Sequence, residues 1–328
     1  MSAALGEFEL IARYFTHPVR GPWASQGVGD DCALIDVGER RLAITCDMLI
    51  AGRHFFPATD PEWLGHKALA VNLSDLAAAG ATPRAFFLAL ALPAADPAWL
   101  SAFSRGLIRL AETHGCALLG GDTTRTPDVN GVAGPLIISI TALGELPRAM
   151  GLTRSGARPG DDLWLSGTVG DAAAALMQAQ GELELGAADA LAMRARLDAP
   201  TPRVRLGEEL RRVASSAVDV SDGLLADLGH ILERSGVGAE VKWAAVPRSP
   251  SLRCCPEAIQ QRCALAGGDD YELLFTAPRA RRGAVVAAGE AAAVPLARIG
   301  AIVDQGLRVL DESGATIELA TRGYDHFV

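Results

Sequence analysis

Six short acidic motifs carry most of the chemistry this chain can offer: Gly29-Asp30-Asp31, Thr45-Cys46-Asp47, Asn72-Leu73-Ser74-Asp75, Gly120-Gly121-Asp122-Thr123, Asp219-Val220-Ser221-Asp222-Gly223 and Gly267-Gly268-Asp269-Asp270. Each sits beside an apolar run of strand or helix character, so each carboxylate is expected at the end of a regular element. Several such acids converging in one cleft would hold Mg²⁺, which takes oxygen ligands, keeps some waters and bridges carboxylates to substrate phosphates. Singly, most have plainer readings. Gly-Asp-Asp at 29–31 is ordinary turn composition, and Asp47 and Asp75 alone read as solvated acids. Their repetition beside Gly and small hydroxyl residues favours a shared site. Gly120-Gly121-Asp122-Thr123 follows the apolar run 116–119, so bare amides at a strand end could meet a phosphate while Asp122 holds a metal; the alternative is a tight turn. Ser221 could simply cap a helix. A strand-Asp-x-Ser-Asp-Gly-helix unit, however, aims a hydroxyl, a helix N-terminus and two acids at one point, which suits a metal-bound phosphate.

Other side chains are less specific. Arg154 could clamp a phosphate bidentately or lie on the surface. His54, in Gly52-Arg53-His54-Phe55-Phe56, lacks partners at zinc-ligand spacing. Tyr324, in the terminal Gly323-Tyr324-Asp325-His326-Phe327, implies an aromatic tail docked on the core or over a ligand ring.

The composition narrows the function class. A formal charge of −9, a pI of about 5.2 and the absence of a Lys/Arg cluster argue against nucleic acid as a partner. Lys67 and Lys242 are the only lysines, so phosphate binding must rest on metal ions and Arg. Neither G-x-x-x-x-G-K-[ST] nor G-x-G-x-x-G occurs. Six cysteines without a C-x-x-C pair read as reduced, mostly buried thiols. The start MSAALGEFEL is too acidic for a signal peptide and no apolar run reaches membrane-span length, so a cytoplasmic protein with no membrane association is expected.

The elements that must position these residues follow from periodicity and punctuation. Helices are expected over 5–15, 61–79, 97–114, 169–180, 202–213, 221–235 and 279–292. Strands are expected over 33–35, 42–45, 86–92, 117–119 (buried), 136–143, 162–166, 217–220, 272–276 and 296–299. A Pro/Gly/Arg-rich stretch at 146–160 marks the best boundary within 328 residues, enough for two domains. The fold class is therefore α/β with mixed sheets, in domains 1–147 and 148–328. Gly-Gly-Asp at 120 and again at 267 hints weakly at similar halves.

In order, these motifs, together with Leu152 to Gly160 and the Gly-aromatic-Asp-His-Phe ending, resemble the thiamine-monophosphate kinase family, whose superfamily includes aminoimidazole ribonucleotide synthetase and selenophosphate synthetase. The resemblance runs from about Gly6 to Phe327. It implies two α/β domains, with N-terminal strands pairing across a homodimer and ATP in the cleft. It also implies Asp30, Thr45, Cys46, Asp47, Asp75, Asp122, Asp219 and Asp222 as ligands of several Mg²⁺ ions. Gly121, Asp122, Arg154 and Ser221 would contact ATP, and His54, Asp269 and Tyr324 would contact thiamine monophosphate. Three positions depart from the family pattern. Cys46 stands for Ser or Thr, which leaves a backbone oxygen or a weaker contact there; Asp269 stands for Glu, and Tyr324 for Trp or Phe.

The implied reaction is in-line transfer from ATP to thiamine monophosphate, giving thiamine diphosphate. A phosphate nucleophile is largely ionised near neutral pH, so no catalytic general base is expected. The rival readings are another ATP-dependent reaction of the superfamily, or a non-catalytic nucleotide-binding protein. Selenophosphate synthesis is disfavoured because no Cys-Gly-rich loop with a Lys lies near the N-terminus.

Overall fold

The structure is a computed structural model that describes residues 6–16, 23–148, 150–318 and 323. Two six-stranded mixed sheets divide the chain, one on each side of the 148–161 linker. The first contains β1 (Ala24–Gln26), β2 (Ala33–Val37), β3 (Arg40–Ile50), β4 (Thr82–Leu92), β5 (Ala117–Arg125) and β6 (Ile137–Pro147), in the order β1-β2-β3-β6-β4-β5. Only β4 and β5 pair in parallel in this sheet, because a helix carries the chain across its face between them. The second contains β7 (Asp162–Ser166), β8 (Ser216–Asp219), β9 (Gly238–Lys242), β10 (Leu273–Ala277), β11 (Leu296–Val303) and β12 (Leu307–Leu310), in the order β12-β9-β11-β7-β10-β8. Every residue of β7 and β10 is buried, as central strands covered on both faces require.

A short helix, α1 (Glu7–Tyr14), opens the described chain. The first sheet is covered on one face by α2 (Pro61–Ala78) and α3 (Pro97–Thr113). Asp60 caps α2 by accepting from the amides of Glu62 (2.8 Å) and Trp63 (3.3 Å), Pro61 fits the first turn, and Gly80 beyond the end takes φ +69°. The helix is apolar around most of its circumference because it is central: it packs on the first sheet, on α3, and across the linker on α6 (Val204–Leu210) and β8. The remaining helices, α4 (Asp171–Ala179), α5 (Ala187–Asp198), α7 (Leu224–Ser235), α8 (Pro250–Arg253), α9 (Glu257–Ala266) and α10 (Arg282–Ala292), surround the second sheet.

Two expectations need correction. The helix foreseen from residue 221 starts at Leu224 with Gly223 at its N-cap, so Ser221 does not cap it. The strand foreseen as a buried segment over 117–119 continues to Arg125 and is exposed along its length, because it is the edge of its sheet. Gly120-Gly121-Asp122 is thus neither a strand end nor a turn. Gly121, at φ +151°, lies so close to β4 that an added Cβ would sit 1.7 Å from the Leu88 carbonyl oxygen. The second Gly-Gly-Asp, at 267–269, lies in a loop before β10, so the two are not equivalent. All six cysteines are free thiols, and four are buried.

Candidate active site

A cavity of about 700 Å³ opens where α2 meets the β8–α7 segment and the 267–271 loop. One end is acidic. On α2, Lys67, Val71 and Asp75 fall at i, i+4 and i+8, one stripe of the helix, and Val71 and Asp75 line the cavity. On β3, Thr45 and Asp47 share one face by strand alternation. Thr45 Oγ1 donates to Asp75 Oδ2, and the Asp47 and Asp75 carboxyls share a hydrogen bond. From the other half of the chain Asp219, at the end of β8, accepts from Ser74 Oγ at 2.7 Å. Asp31, Asp75 and Asp219 bring carboxylate oxygens within 4.8 Å of one another.

The electrostatics are those of acids awaiting positive charge. At that separation, and with an effective dielectric of about 20, each ionised pair repels by about 3 kcal/mol. Burial, then Asp31, pushes Asp30 up to about 7 and Asp219 to about 8. Burial raises Asp47 to about 6, and burial followed by Asp47 and Asp219 lifts Asp75 well above the carboxylate range. Arg154 brings a counter-charge to this cluster, donating to Asp31 Oδ1 from Nη2 (2.6 Å) and Nε (3.1 Å). Its amide also meets both oxygens of Asp30 at 3.2 Å. Asp31 therefore joins the triad, while Asp30 stands beside it, tied to the linker. An all-oxygen donor set of this density fits a hard divalent cation such as Mg²⁺ and no soft metal.

Ser221, Asp222, His54 and Asp269 line the same cavity. The amides of Ser221, Asp222 and Gly223 all donate to Asp227 Oδ2, at 3.0, 3.1 and 3.1 Å. The amides that sequence reasoning offered to a phosphate are therefore taken by a side chain of the helix that follows them, and Ser221 and Asp222 face the cavity through other atoms. His54 Nδ1 accepts from the Ile50 amide at 3.0 Å, which puts the proton of the neutral ring on Nε2. Asp269 is held by Lys67 Nζ at 2.8 Å and Tyr271 Oη at 3.1 Å, both donating to Oδ1. Phe56, Leu176, Met177, Leu197 and Ala266 make the other end of the cavity apolar.

Four expected site residues lie elsewhere or beyond description. Cys46 alternates onto the open face of the first sheet, with Thr141 Oγ1 donating to its Sγ at 3.3 Å. Asp122 sits opposite Ala89, whose other cross-strand neighbour is Ser139, so it lies on that same open sheet and lines no part of the cavity. Gly121 precedes it on β5. Tyr324 lies outside the described residues; Gly323 lines the cavity. The sequence leaves open whether Asp30 or Asp31 is the principal ligand, and it does not single out Lys67, Tyr271 or Asp227. Of these only Lys67 left a signal, its i, i+4 spacing to Val71 and Asp75.

The family description "AIR synthase related protein, N-terminal domain" matches residues 29–146, and "AIR synthase related protein, C-terminal domain" matches 158–311. The chain is 46% identical to thiamine-monophosphate kinase of Escherichia coli K12 and 45% identical to that of Salmonella typhimurium, with 99% of each chain covered in both cases. Among solved structures it is similar to thiamine-monophosphate kinase from Stenotrophomonas maltophilia (46% identity, TM-score 0.78, covering 96% of this chain and 98% of that one). It is also similar to "AaThiL complexed with AMPPCP and TMP" (31% identity, TM-score 0.82, covering 98% and 97%). With an acid-lined cleft between two such halves and full-length identity at this level, the chain belongs to the thiamine-monophosphate kinase family of AIR synthase related proteins.

Proposed function

We propose that this protein transfers the γ-phosphoryl group of ATP to thiamine monophosphate, giving ADP and thiamine diphosphate in thiamine diphosphate biosynthesis. The observation that carries the reading is a cavity lined at one end by Asp75 and Asp219, with the buried carboxylate of Asp31 converging on both, and bearing an apolar wall that includes Phe56. A relative solved with AMPPCP and TMP, one an ATP analogue, supports both ligands.

Asp31, Asp75 and Asp219 would hold Mg²⁺, with Asp30, Thr45, Asp47 and Asp222 close enough to extend the set to several ions. Bound there, the cations would offset the repulsion between two polyanionic substrates and stabilise charge on the transferring group. The chain's own groups position the reactants. Burial raises the Asp31 carboxyl and the Arg154 guanidinium partly offsets this; Arg154 Nη1, which meets no acceptor among the described residues, is placed to take a phosphate oxygen. His54 Nε2–H is a donor suited to the acceptor's phosphate, and Asp269 is a carboxylate for its organic part. Phe56 and its apolar neighbours exclude water from the rings. The acceptor oxygen needs no base, so no side chain is assigned that role.

Cys46, Gly121 and Asp122 are placed by a second proposal, that the chain is a homodimer. The open face of the first sheet exposes Met48 and Phe87, and the edge strand beside them exposes Leu118 and Leu119. A second copy pairing there would cover this apolar surface and bring Asp122 and Cys46 into an interface. Residues 1–147 then form the metal-binding and pairing domain and residues 148–328 the domain that closes the cleft. No helix among the described residues is long and apolar enough to cross a membrane, and a cytoplasmic enzyme that binds no nucleic acid is the reading we adopt.

The test is ³¹P NMR of the protein with Mg-ATP and thiamine monophosphate. Equal amounts of ADP and thiamine diphosphate are expected. ADP with free phosphate and untouched acceptor would refute the proposal, as would no loss of ATP by folded protein.

A further inference from the structure

Lys67 is out of place for a lysine. It is one of two in the chain, only 2% of its side chain is exposed, and it lies on the cavity stripe of α2 two turns before Asp75. A buried ammonium is costly unless paired. Its described partner is a single carboxylate oxygen, Asp269 Oδ1 at 2.8 Å, across the junction between the halves of the chain. Tyr271 Oη donates to the same atom at 3.1 Å. With both donors on Oδ1, no donor among the described residues reaches Oδ2, and Asp269 lines the cavity with its side chain 32% exposed.

The backbone around this carboxylate is strained and held. Asp269 and Tyr271 take φ +67° and +52°, a region disfavoured for L-residues other than Gly and rarer still for a bulky one. The Asp269 amide donates to Ser221 O and the Tyr271 amide to Val220 O, both at 2.8 Å, so the loop is strapped to the metal-side segment. Gly268 is pressed against that segment, where an added Cβ would lie 2.2 Å from Ser221 O. Behind it, Asp270 accepts the Gly170 amide at 2.9 Å, and Glu272 takes Arg203 Nε and Ser166 Oγ, each at 2.6 Å. Strain sustained by so many contacts fixes one direction for one carboxylate.

We propose that Lys67, assisted by Tyr271, is a positioning residue that locks Asp269 by Oδ1 and turns Oδ2 toward an N–H donor or cationic centre of the phosphorylated acceptor. Lys67 thereby sets acceptor recognition without touching the nucleotide. The proposal rests on the reading above in which Asp269 contacts the acceptor.

Steady-state kinetics with thiamine monophosphate and Mg-ATP would be measured for wild type, Lys67→Met, Lys67→Arg, Tyr271→Phe, Asp269→Asn and the double variant Lys67→Met/Asp269→Asn. Lys67→Met should raise the acceptor KM at least tenfold, with the ATP KM within twofold and kcat within about threefold. Lys67→Arg should recover part of the loss. The double variant should be no worse than the worse single one, since both act through the same carboxylate. Tyr271→Phe, which removes a hydroxyl alone, should raise the acceptor KM about threefold and tests the lock even where Lys67→Met fails to fold. An acceptor KM unchanged in Asp269→Asn overturns both the Asp269 contact and this inference. A raised KM in Asp269→Asn with normal values in the folded Lys67 and Tyr271 variants overturns this inference alone. Equal rises in the ATP and acceptor KM would also overturn it. Wild type that forms no thiamine diphosphate overturns the proposed function and, with it, this role.

Discussion

Removing one acid from the cluster should stabilise the metal-free protein. Asp219 is pushed up to about 8, first by burial and then by Asp31, from an ordinary 3.8. Between those values the native chain keeps a proton that the unfolded chain has released, so the native state binds more protons and stability falls as pH rises. The penalty is absent below about 3.8, grows by about 1.4 kcal/mol per pH unit, and levels off above about 8. At pH 7 it amounts to at most about 4 kcal/mol, and at pH 5 to about 2 kcal/mol. Asp219→Asn keeps an oxygen for the Ser74 hydroxyl, 2.7 Å away, and discards the charge.

Urea unfolding in EDTA at pH 5, 6, 7 and 8 would measure this. The Asn variant should be more stable than wild type by a margin that widens with pH. Mg²⁺ should then narrow the margin, because a ligand at a hundred times its Kd adds about 2.7 kcal/mol to the chain that binds it, enough to reverse the ranking at pH 5 but not at pH 7. Asp219→Asn should gain much less. A variant no more stable than wild type in EDTA, or a margin that does not change with pH, would refute the account of the cluster as acids held together against their repulsion.

Three further perturbations test the scaffold around the site. Asp227→Ala removes the shared acceptor of the three 221–223 amides and should cost about 3 kcal/mol in urea unfolding, whereas Asp227→Asn, which retains an acceptor, should cost about 1 kcal/mol; equal losses would contradict the role given to Oδ2. Glu272→Gln strips the fully buried carboxylate from Arg196 and Arg203 and should cost about 3 to 5 kcal/mol, read as a lowered urea midpoint; a loss under about 1 kcal/mol would mean the cluster is self-sufficient without its charge. His230, its ring tilted against Phe8 with centroids 4.5 Å apart, is lowered to about 4 by burial and then by Arg154. The unfolded chain therefore takes up a proton that the native chain refuses between about 6.5 and 4, and His230→Gln should flatten the acid-side fall in stability by up to about 1.4 kcal/mol per pH unit; parallel stability curves for the two proteins would exclude it.

What the sequence could reveal follows from the range of the interactions involved. The long helix α2 was legible because Pro61 and Gly80 punctuate it locally. Asp75, Thr45, Asp47, Asp219, Ser221, Asp222 and Asp269 stand in local Gly- or hydroxyl-flanked motifs, whereas His54 enters only through the family resemblance; the fold brings all of them to one cavity. Choosing Asp31 over Asp30 required knowing where the linker crosses, since the Arg154 side chain takes one acid and its amide the other. Asp227 was hidden because an acid in the first turn of a helix is ordinary there, and its three bonds exist only because the preceding segment doubles back over it. The helices α5 and α9 and the short strands β9 and β12 went unforeseen for a related reason. Their apolar residues are few, and partners far along the chain decide their structure: β9 lies between β11 and β12, whose pairing is settled about sixty residues later. β5 shows the converse. Leu118 and Leu119 carry an apolar pattern that calls for burial, while one copy of the chain leaves both exposed. A pattern selected for burial in an assembly cannot be satisfied by the monomer alone, so the misjudged strand is itself an argument that the open sheet face has a partner.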